Sequence, residues 1–244
     1  MYRFYIEPSQ KQGDSIEIIG EDVNHIKNVL RMKNGEKFIL CDGAGTDYLC
    51  ELAGSKERNL VATVLEEKKS DTELPVRLVL YQGLPKKDKM ELIIQKAVEL
   101  GAAEIVPVVM KRTIVKTEGG KEEKKLVRWQ AIAESAAKQS GRGVIPEVIA
   151  LPSFSAALER AAKADKALMF YENEHATTLR MALESGSFET VSLLTGPEGG
   201  LEEKEVEQAR NAGLQVCTLG SRILRCETAP LCVLSAVMYA AGEF

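Results

Sequence analysis

The fold is decided by residues 191–244, VSLLTGPEGGLEEKEVEQARNAGLQVCTLGSRILRCETAPLCVLSAVMYAAGEF. Val191 to Thr195 is an apolar run closed by Gly196-Pro197-Glu198-Gly199-Gly200, which reads as a buried strand entering a tight turn. An amphipathic helix is expected to open at Leu201, and Gln215 to Thr218 reads as a second, short strand. A polar loop follows from Leu219 to Cys226. The last helix then starts near Glu227 and runs to Ala241, with Pro230 in its first turn, where a missing N–H leaves no helical bond unmade. Two Gly-containing loops therefore follow two apolar strands. In an open α/β sheet, ligands bind just outside the carboxyl ends of the strands, so these loops mark the expected binding site.

Taken alone, GPEGG is well explained as a turn, since Gly supplies φ > 0 and Pro presets φ. It is neither G-x-G-x-x-G nor a P-loop, so neither nucleotide fingerprint applies. The second loop is harder to read as mere connection. Ser221-Arg222-Ile223-Leu224-Arg225 places two cations directly before a helix N-terminus, which favours anions. Glu227 and Thr228 suit that position; Arg225 needs a partner or a role.

Working back from residue 191, apolar strands alternate with longer helices. The expected strands are Val76 to Leu84, Ile105 to Met110 and Lys166 to Tyr171; the expected helices are Asp88 to Leu100, Lys125 to Ser140, Ser155 to Ala164 and Thr178 to Glu184. That alternation predicts an α/β domain with a mostly parallel sheet. Glu66 to Leu74, EEKKSDTEL, is a charge run without periodicity and reads as a linker. Before it, short alternating segments at Tyr2 to Ile6, Ser15 to Ile18, Lys37 to Cys41, Tyr48 to Leu52 and Leu60 to Leu65 are punctuated by Gly, Asn and Asp. They suggest a small β-barrel, interrupted by one helix, Glu21 to Met32, whose Val23, Ile26, Val29 and Leu30 keep helical spacing.

Composition narrows the function. At 45% hydrophobic and 28% charged, the chain has the make-up of a soluble globular protein with a real core. No apolar run approaches the ~20 residues of a membrane span, and the opening MYRFY does not lead into a signal peptide. The five cysteines, Cys41, Cys50, Cys217, Cys226 and Cys232, show no C-x-x-C and read as free thiols of a reducing, cytoplasmic compartment. With only His25 and His175 beside them, no metal centre is expected, nor a Ser-His-Asp or Cys-His triad. Net charge is −4, yet residues 76–150 carry +5, with 14 cationic against 9 anionic side chains, while the flanking thirds are acidic. Basic clusters there, at Lys86, Lys87 and Lys89, at Lys111, Arg112 and Lys116, and at Lys138 and Arg142, suit a phosphate-tracking surface.

TGPEGG at 195–200, LGSRILRCETA at 219–229 and the Ala-rich last helix together resemble the SPOUT class of S-adenosylmethionine-dependent RNA methyltransferases. Within that class the chain is similar, over essentially its whole length, to the bacterial family that methylates N3 of a uridine in 16S ribosomal RNA. Cys226 stands where Thr is the commoner residue. The resemblance implies a PUA-like β-barrel for RNA binding over residues 1–70, with HIKNVLRMKNGE (25–36) as its signature segment. It also implies a SPOUT methyltransferase domain over 75–244, with a C-terminal trefoil knot that shapes the cofactor pocket. The implied holders of S-adenosyl-L-methionine are Tyr171, Glu172, Thr195, Gly196, Glu198, Gly199, Leu219, Gly220, Ser221, Ile223, Leu224 and Thr228. The glycines would let backbone approach the adenine and ribose, and Ile223 and Leu224 would supply apolar walls.

Uridine N3 carries a proton, so a base or a stabiliser of the uridinate is needed. Glu198 is a candidate base or arginine partner, and Arg225 a candidate stabiliser of charge on O2 and O4; alternatively the two pair and only hold the loops. RNA contacts are expected from Arg3, His25, Arg31, Lys33, Lys86, Lys87, Arg112 and Arg142. The implied partners are 16S ribosomal RNA within the small subunit and, through the apolar last helix, a second copy of the chain. A catalytically silent RNA-binding factor, or an enzyme acting on a 2′-hydroxyl or a tRNA base, are the competing readings.

Overall fold

The alternating segments near the N-terminus form one sheet. Its strands are β1 (Arg3–Tyr5), β2 (Lys11–Gln12), β3 (Ser15–Ile18), β4 (Lys37–Cys41), β5 (Thr46–Lys56) and β6 (Asn59–Lys69), in the order β1-β4-β5-β6-β3-β2. All neighbours are antiparallel except β1 with β4. The computed structural model describes residues 1–113, 121–151 and 153–243; Lys116 of the expected basic clusters lies outside them. Phe4, Ile16, Ile18, Phe38, Leu40, Cys50 and Leu52 form the core of this sheet together with Ile26. β1 and β2 remain edge strands, so hydrogen bonds do not close a barrel.

The expected helix of residues 21–32 is only partly α-helical. α1 covers Glu21–Asn24, and His25–Val29 is a π-helical turn, with the Leu30 N–H reaching back to the His25 carbonyl at 2.9 Å. The wider turn keeps Ile26 fully buried but carries Val29 off the apolar face, where it is 63% exposed. Nor is the charge run after residue 65 a linker. Thr46 to Leu49 pair with Glu66 to Lys69, and Glu73 takes up the Arg142 guanidinium and accepts the N–H groups of Gly143 and Val144 at 3.0 and 3.1 Å. Charges on both faces of the strand end hid its alternation.

Two compact units result, Met1–Glu73 with Ala137–Ile145, and Leu74–Ala136 with Pro146 onward. The second unit contains β7 (Arg77–Gly83), α2 (Lys89–Glu99), β8 (Glu104–Val108), α3 (Lys121–Ser140, whose last turn belongs to the first unit), β9 (Glu147–Val148), α4 (Phe154–Ala161), β10 (Lys166–Phe170), α5 (Leu179–Glu184), β11 (Thr190–Thr195), α6 (Glu203–Asn211), β12 (Gln215–Cys217) and α7 (Thr228–Ala240). Its sheet is wholly parallel, in the order β12-β10-β11-β7-β8-β9. Every residue of β8 and β10 is buried, as strands covered on both faces must be. Their charged residues are matched: Glu104 takes Arg77 at 3.0 Å and also Arg160, and Lys166 donates to the Ser185 carbonyl at 2.8 Å.

One boundary and one unexpected strand have local causes. α6 starts at Glu203 because Glu202 and Glu205 form a capping box, while Leu201 turns into the core at 2% exposure. β9 has only two residues, too few to show a period.

Arg142 and Arg3 are corrected by the structure. The Arg142 side chain is 5% exposed and bound to Glu73, and Arg3 pairs with Asp47 at 2.5 Å, the aspartate being 1% exposed. Both arginines are committed inside the first unit and do not offer a free cation to phosphate. Arg142→Ala, which takes the cation from Glu73 and leaves it only the N–H groups of residues 143 and 144 among the partners named above, is expected to lower stability by about 1–3 kcal/mol, read as a reduced urea midpoint with unchanged slope.

Candidate functional site

β7, β10, β11 and β12 end side by side at Gly83, Phe170, Thr195 and Cys217. From β7 the chain moves to β8 and β9 on one side of the sheet and returns to β10, β11 and β12 on the other, which places a topological switch at β11 and β7. The loops leaving these ends line a cleft of about 510 Å³, within the size range of small-molecule sites.

The base of the cleft is set by a buried polar clasp. Thr195 Oγ1 donates to Gln82 Oε1 at 2.7 Å across the β11–β7 pair, and the Gln82 amide donates to the Gly83 carbonyl at 2.8 Å and to that of Gly196 at 3.2 Å. Gln82 and Thr195 are 0% and 1% exposed. Next to them, Gly83 has no side chain because Pro197 occupies that space: a Cβ would lie 2.6 Å from the proline N and Cδ. The turn after β11 is therefore held from below.

Of the residues expected to hold a ligand, Tyr171, Glu172, Thr195, Gly196, Glu198, Gly199, Leu219, Gly220, Ser221, Ile223 and Leu224 all line the cleft. Thr228 does not; as the first residue of α7 it donates its N–H to the Arg225 carbonyl at 2.8 Å. Ile223 lines it only from the mouth, at 86% exposure, and so is no buried wall. The glycines differ in purpose. Gly199 makes room for Arg112, whose Cβ would be 2.9 Å from an added methyl and whose guanidinium donates to the Gly199 carbonyl at 2.9 Å. Gly220, at φ +97°, faces open space.

Electrostatics separate the two proposed catalytic residues. Both carboxylate oxygens of Glu198 accept the Lys86 N–H, at 3.0 and 3.1 Å, and Lys89 lies 3.4 Å away. Burial pushes this carboxyl up, but those donors and its own N–H outweigh it and hold it below the usual value. Arg225 is exposed, and among the described residues its side chain has no hydrogen-bond or ion-pair partner. Glu198 and Arg225 thus do not pair.

Sequence reading missed several residues that line this cleft or support the loops around it. Gln82 was hidden inside an apolar run, and Lys89 among surface lysines. Glu227 is held at about 2, first by the Cys226 thiol and then by Lys89, while burial and Glu227 push the Cys226 thiol up to about 12. Glu174 accepts the N–H groups of His175, Ala176 and Thr177 at 3.0, 2.8 and 3.3 Å and pairs with Arg210 at 2.5 Å. It shapes the loop that carries Tyr171, Glu172 and His175.

The Ala176 N–H and then the Arg210 guanidinium bring Glu174 from 4.5 down to about 2. A folded value below the unfolded one means that this carboxylate stabilises the fold above pH 4.5 and that the contribution is lost as pH falls towards 2. Glu174→Gln is therefore expected to lower the melting temperature at neutral pH and to leave a shallower decline between pH 4.5 and 2, the window set by these two values; thermal scans across that range measure it.

Comparison with known proteins agrees with this architecture. The family model of an RNA methyltransferase domain matches residues 72–238, and that of an RNA methyltransferase PUA domain matches residues 18–65. Ribosomal RNA small subunit methyltransferase E of Bacillus subtilis is 39% identical, over 98% of this chain and 96% of its own length. The protein of the same name from Mesomycoplasma hyopneumoniae is 35% identical over 96% and 98%. A crystal structure of ribosomal RNA small subunit methyltransferase E from Neisseria gonorrhoeae, bound to S-adenosyl methionine, superposes with a TM-score of 0.85 at 36% identity, covering 100% of this chain and 99% of that one. With the match extending through both units, the chain belongs to the RNA methyltransferase family, alongside the small subunit methyltransferase E proteins.

Proposed function

We propose that this protein transfers the methyl group of S-adenosylmethionine to N3 of a uridine in the 16S ribosomal RNA of the small subunit. The observation that carries the reading is the cleft at the ends of β10, β11 and β12, built from the two loops TGPEGG and LGSRILRCET. It suits the cofactor chemically. Leu219, Leu224 and Ala229 offer apolar surface for an adenine, and Gly220, with open space where a side chain would stand, offers its backbone to a ligand. Glu172 supplies a negative charge. When bound, S-adenosylmethionine supplies an electrophilic methyl carbon.

The chain's own task is to orient the uridine and manage the N3 proton. Glu198 and Glu227 are both held below the usual carboxylate range, which makes them weak bases at neutral pH. Arg225 supplies the better device: a guanidinium with no competing ion pair among the described residues, stabilising negative charge on O2 and O4 as the N3 proton leaves to solvent. Exposed Lys86, Lys87, Arg112 and Arg222 flank the same cleft region, and His25, Arg31 and Lys33 are exposed on the first unit; these are the proposed phosphate contacts.

The same reading assigns residues 1–70 to RNA binding and 75–244 to methyl transfer, with a knotted C-terminal segment and a cytoplasmic site of action. It also proposes a homodimer. α7 buries Val233, Leu234 and Val237 yet leaves Tyr239 70% exposed and Cys232 exposed, and a two-fold pair would cover that face.

Mass mapping of ribosomal RNA from a strain lacking this gene, complemented with wild type or Arg225→Ala, tests the reaction. Wild type is expected to restore one methyl group at a uridine N3. The variant should turn over about a hundredfold more slowly while cofactor affinity stays within about twofold, a change of ~0.4 kcal/mol. Restoration of a methyl at a 2′-hydroxyl, or full activity without the guanidinium, contradicts the proposal. Sedimentation equilibrium at micromolar concentration should show a dimer, and Tyr239→Glu should shift it to monomer.

A further inference from the structure

We infer that Lys89 is a positioning residue that pins the two loops of the cleft to the start of α2. The inference rests on reading the cleft as the cofactor site. Lys89 Nζ lies 3.4 Å from Glu198 Oε1, 3.0 Å from Glu227 Oε2 and 3.7 Å from Cys226 Sγ. Glu198 belongs to the turn after β11, and Cys226 and Glu227 close the loop after β12, so one ammonium joins three segments far apart in sequence.

Lys89 is the first residue of α2, where the helix dipole disfavours a cation. Two carboxylates reverse that preference locally. Without the lysine, those carboxylates would share the wall of the cleft with like charge and no cation between them. Their remaining bonds are already fixed: Glu198 accepts the Lys86 N–H with both oxygens, and Glu227 Oε2 also accepts the Cys226 thiol at 3.2 Å. One cation between two anions offsets their mutual repulsion, which is what lets Glu198 and Glu227 approach the same ammonium. Arg222 and Arg225 face the cleft from the loop after β12, and Glu172 and His175 from the loop after β10; among the described residues none of these four bonds Lys89, so the ammonium answers to Glu198 and Glu227.

Isothermal calorimetry with S-adenosylmethionine on the full chain separates the alternatives. Binding by wild type tests the cofactor reading itself; its absence removes that reading. Given binding by wild type, Lys89→Met is expected to weaken affinity by about ten- to a hundredfold, and Lys89→Arg, which keeps the cation, by no more than about threefold. The pH profile gives a readout that simple loss of packing would not. Lys89 is one of several donors that hold Glu227 and Glu198 low, after the Cys226 thiol for the first and backbone N–H groups for the second, so in Lys89→Met both carboxyls move up part of the way and affinity, followed from pH ~7 down to ~3, should begin to fall at a higher pH than in wild type. Equal affinity of Lys89→Met and wild type, or equal loss in Lys89→Met and Lys89→Arg with the wild-type pH profile in both, overturns the inference.

Discussion

The contact on which the cleft depends is the hydrogen bond between Thr195 and Gln82, wholly buried at the ends of β11 and β7. A hydroxyl and a primary amide cannot be buried without partners except at a cost of a few kcal/mol. The three bonds that satisfy them, Thr195 to Gln82 and Gln82 to the carbonyls of Gly83 and Gly196, therefore tie the strand ends together. Pro197 packing into the space left by Gly83 adds a steric constraint to the polar one. From that point the turn can leave the sheet in only one direction, and it delivers Glu198 to the Lys86 N–H.

Above this base, the cations of the chain sort by partner. Arg3, Arg142, Arg160 and Arg210 are each engaged by a carboxylate, buried for Asp47, Glu104 and Glu174 and half-buried for Glu73, and their charge is taken up inside the fold. Lys86, Lys87, Arg222 and Arg225 are exposed, with no ion-pair partner among the described residues. Only the second group has charge to offer a polyanion. Segment charge could not make this distinction, because it counts Arg142 and Lys86 equally.

The carboxylates sort as well. Glu174, Glu198 and Glu227 are all held below their ordinary range by backbone N–H groups and neighbouring cations. They act as fixed anions that shape loops. For the proposed reaction at a uridine, that leaves proton removal to stabilisation of the anion, the role proposed for Arg225.

Much of this protein was legible in its sequence. Hydrophobic period and turn chemistry are local properties, so the strand–loop alternation after residue 75, both loops of the cleft and the last helix could be placed within a few residues. The resemblance carried by TGPEGG and LGSRILRCETA pointed to the RNA methyltransferase family that the comparisons show. What the sequence could not decide depends on partners distant along the chain. Arg142 reads as a surface cation until Glu73, 69 residues away, is seen to hold it. Glu198 reads as a base until Lys86, 112 residues away, is seen to occupy it. Gln82 carried no local signal, and Lys89 read only as one more cation of a basic cluster until Glu198 and Glu227 are seen to hold it. Hydrogen bonding and charge pairing act through space, and only the tertiary structure decides which residues are brought within reach.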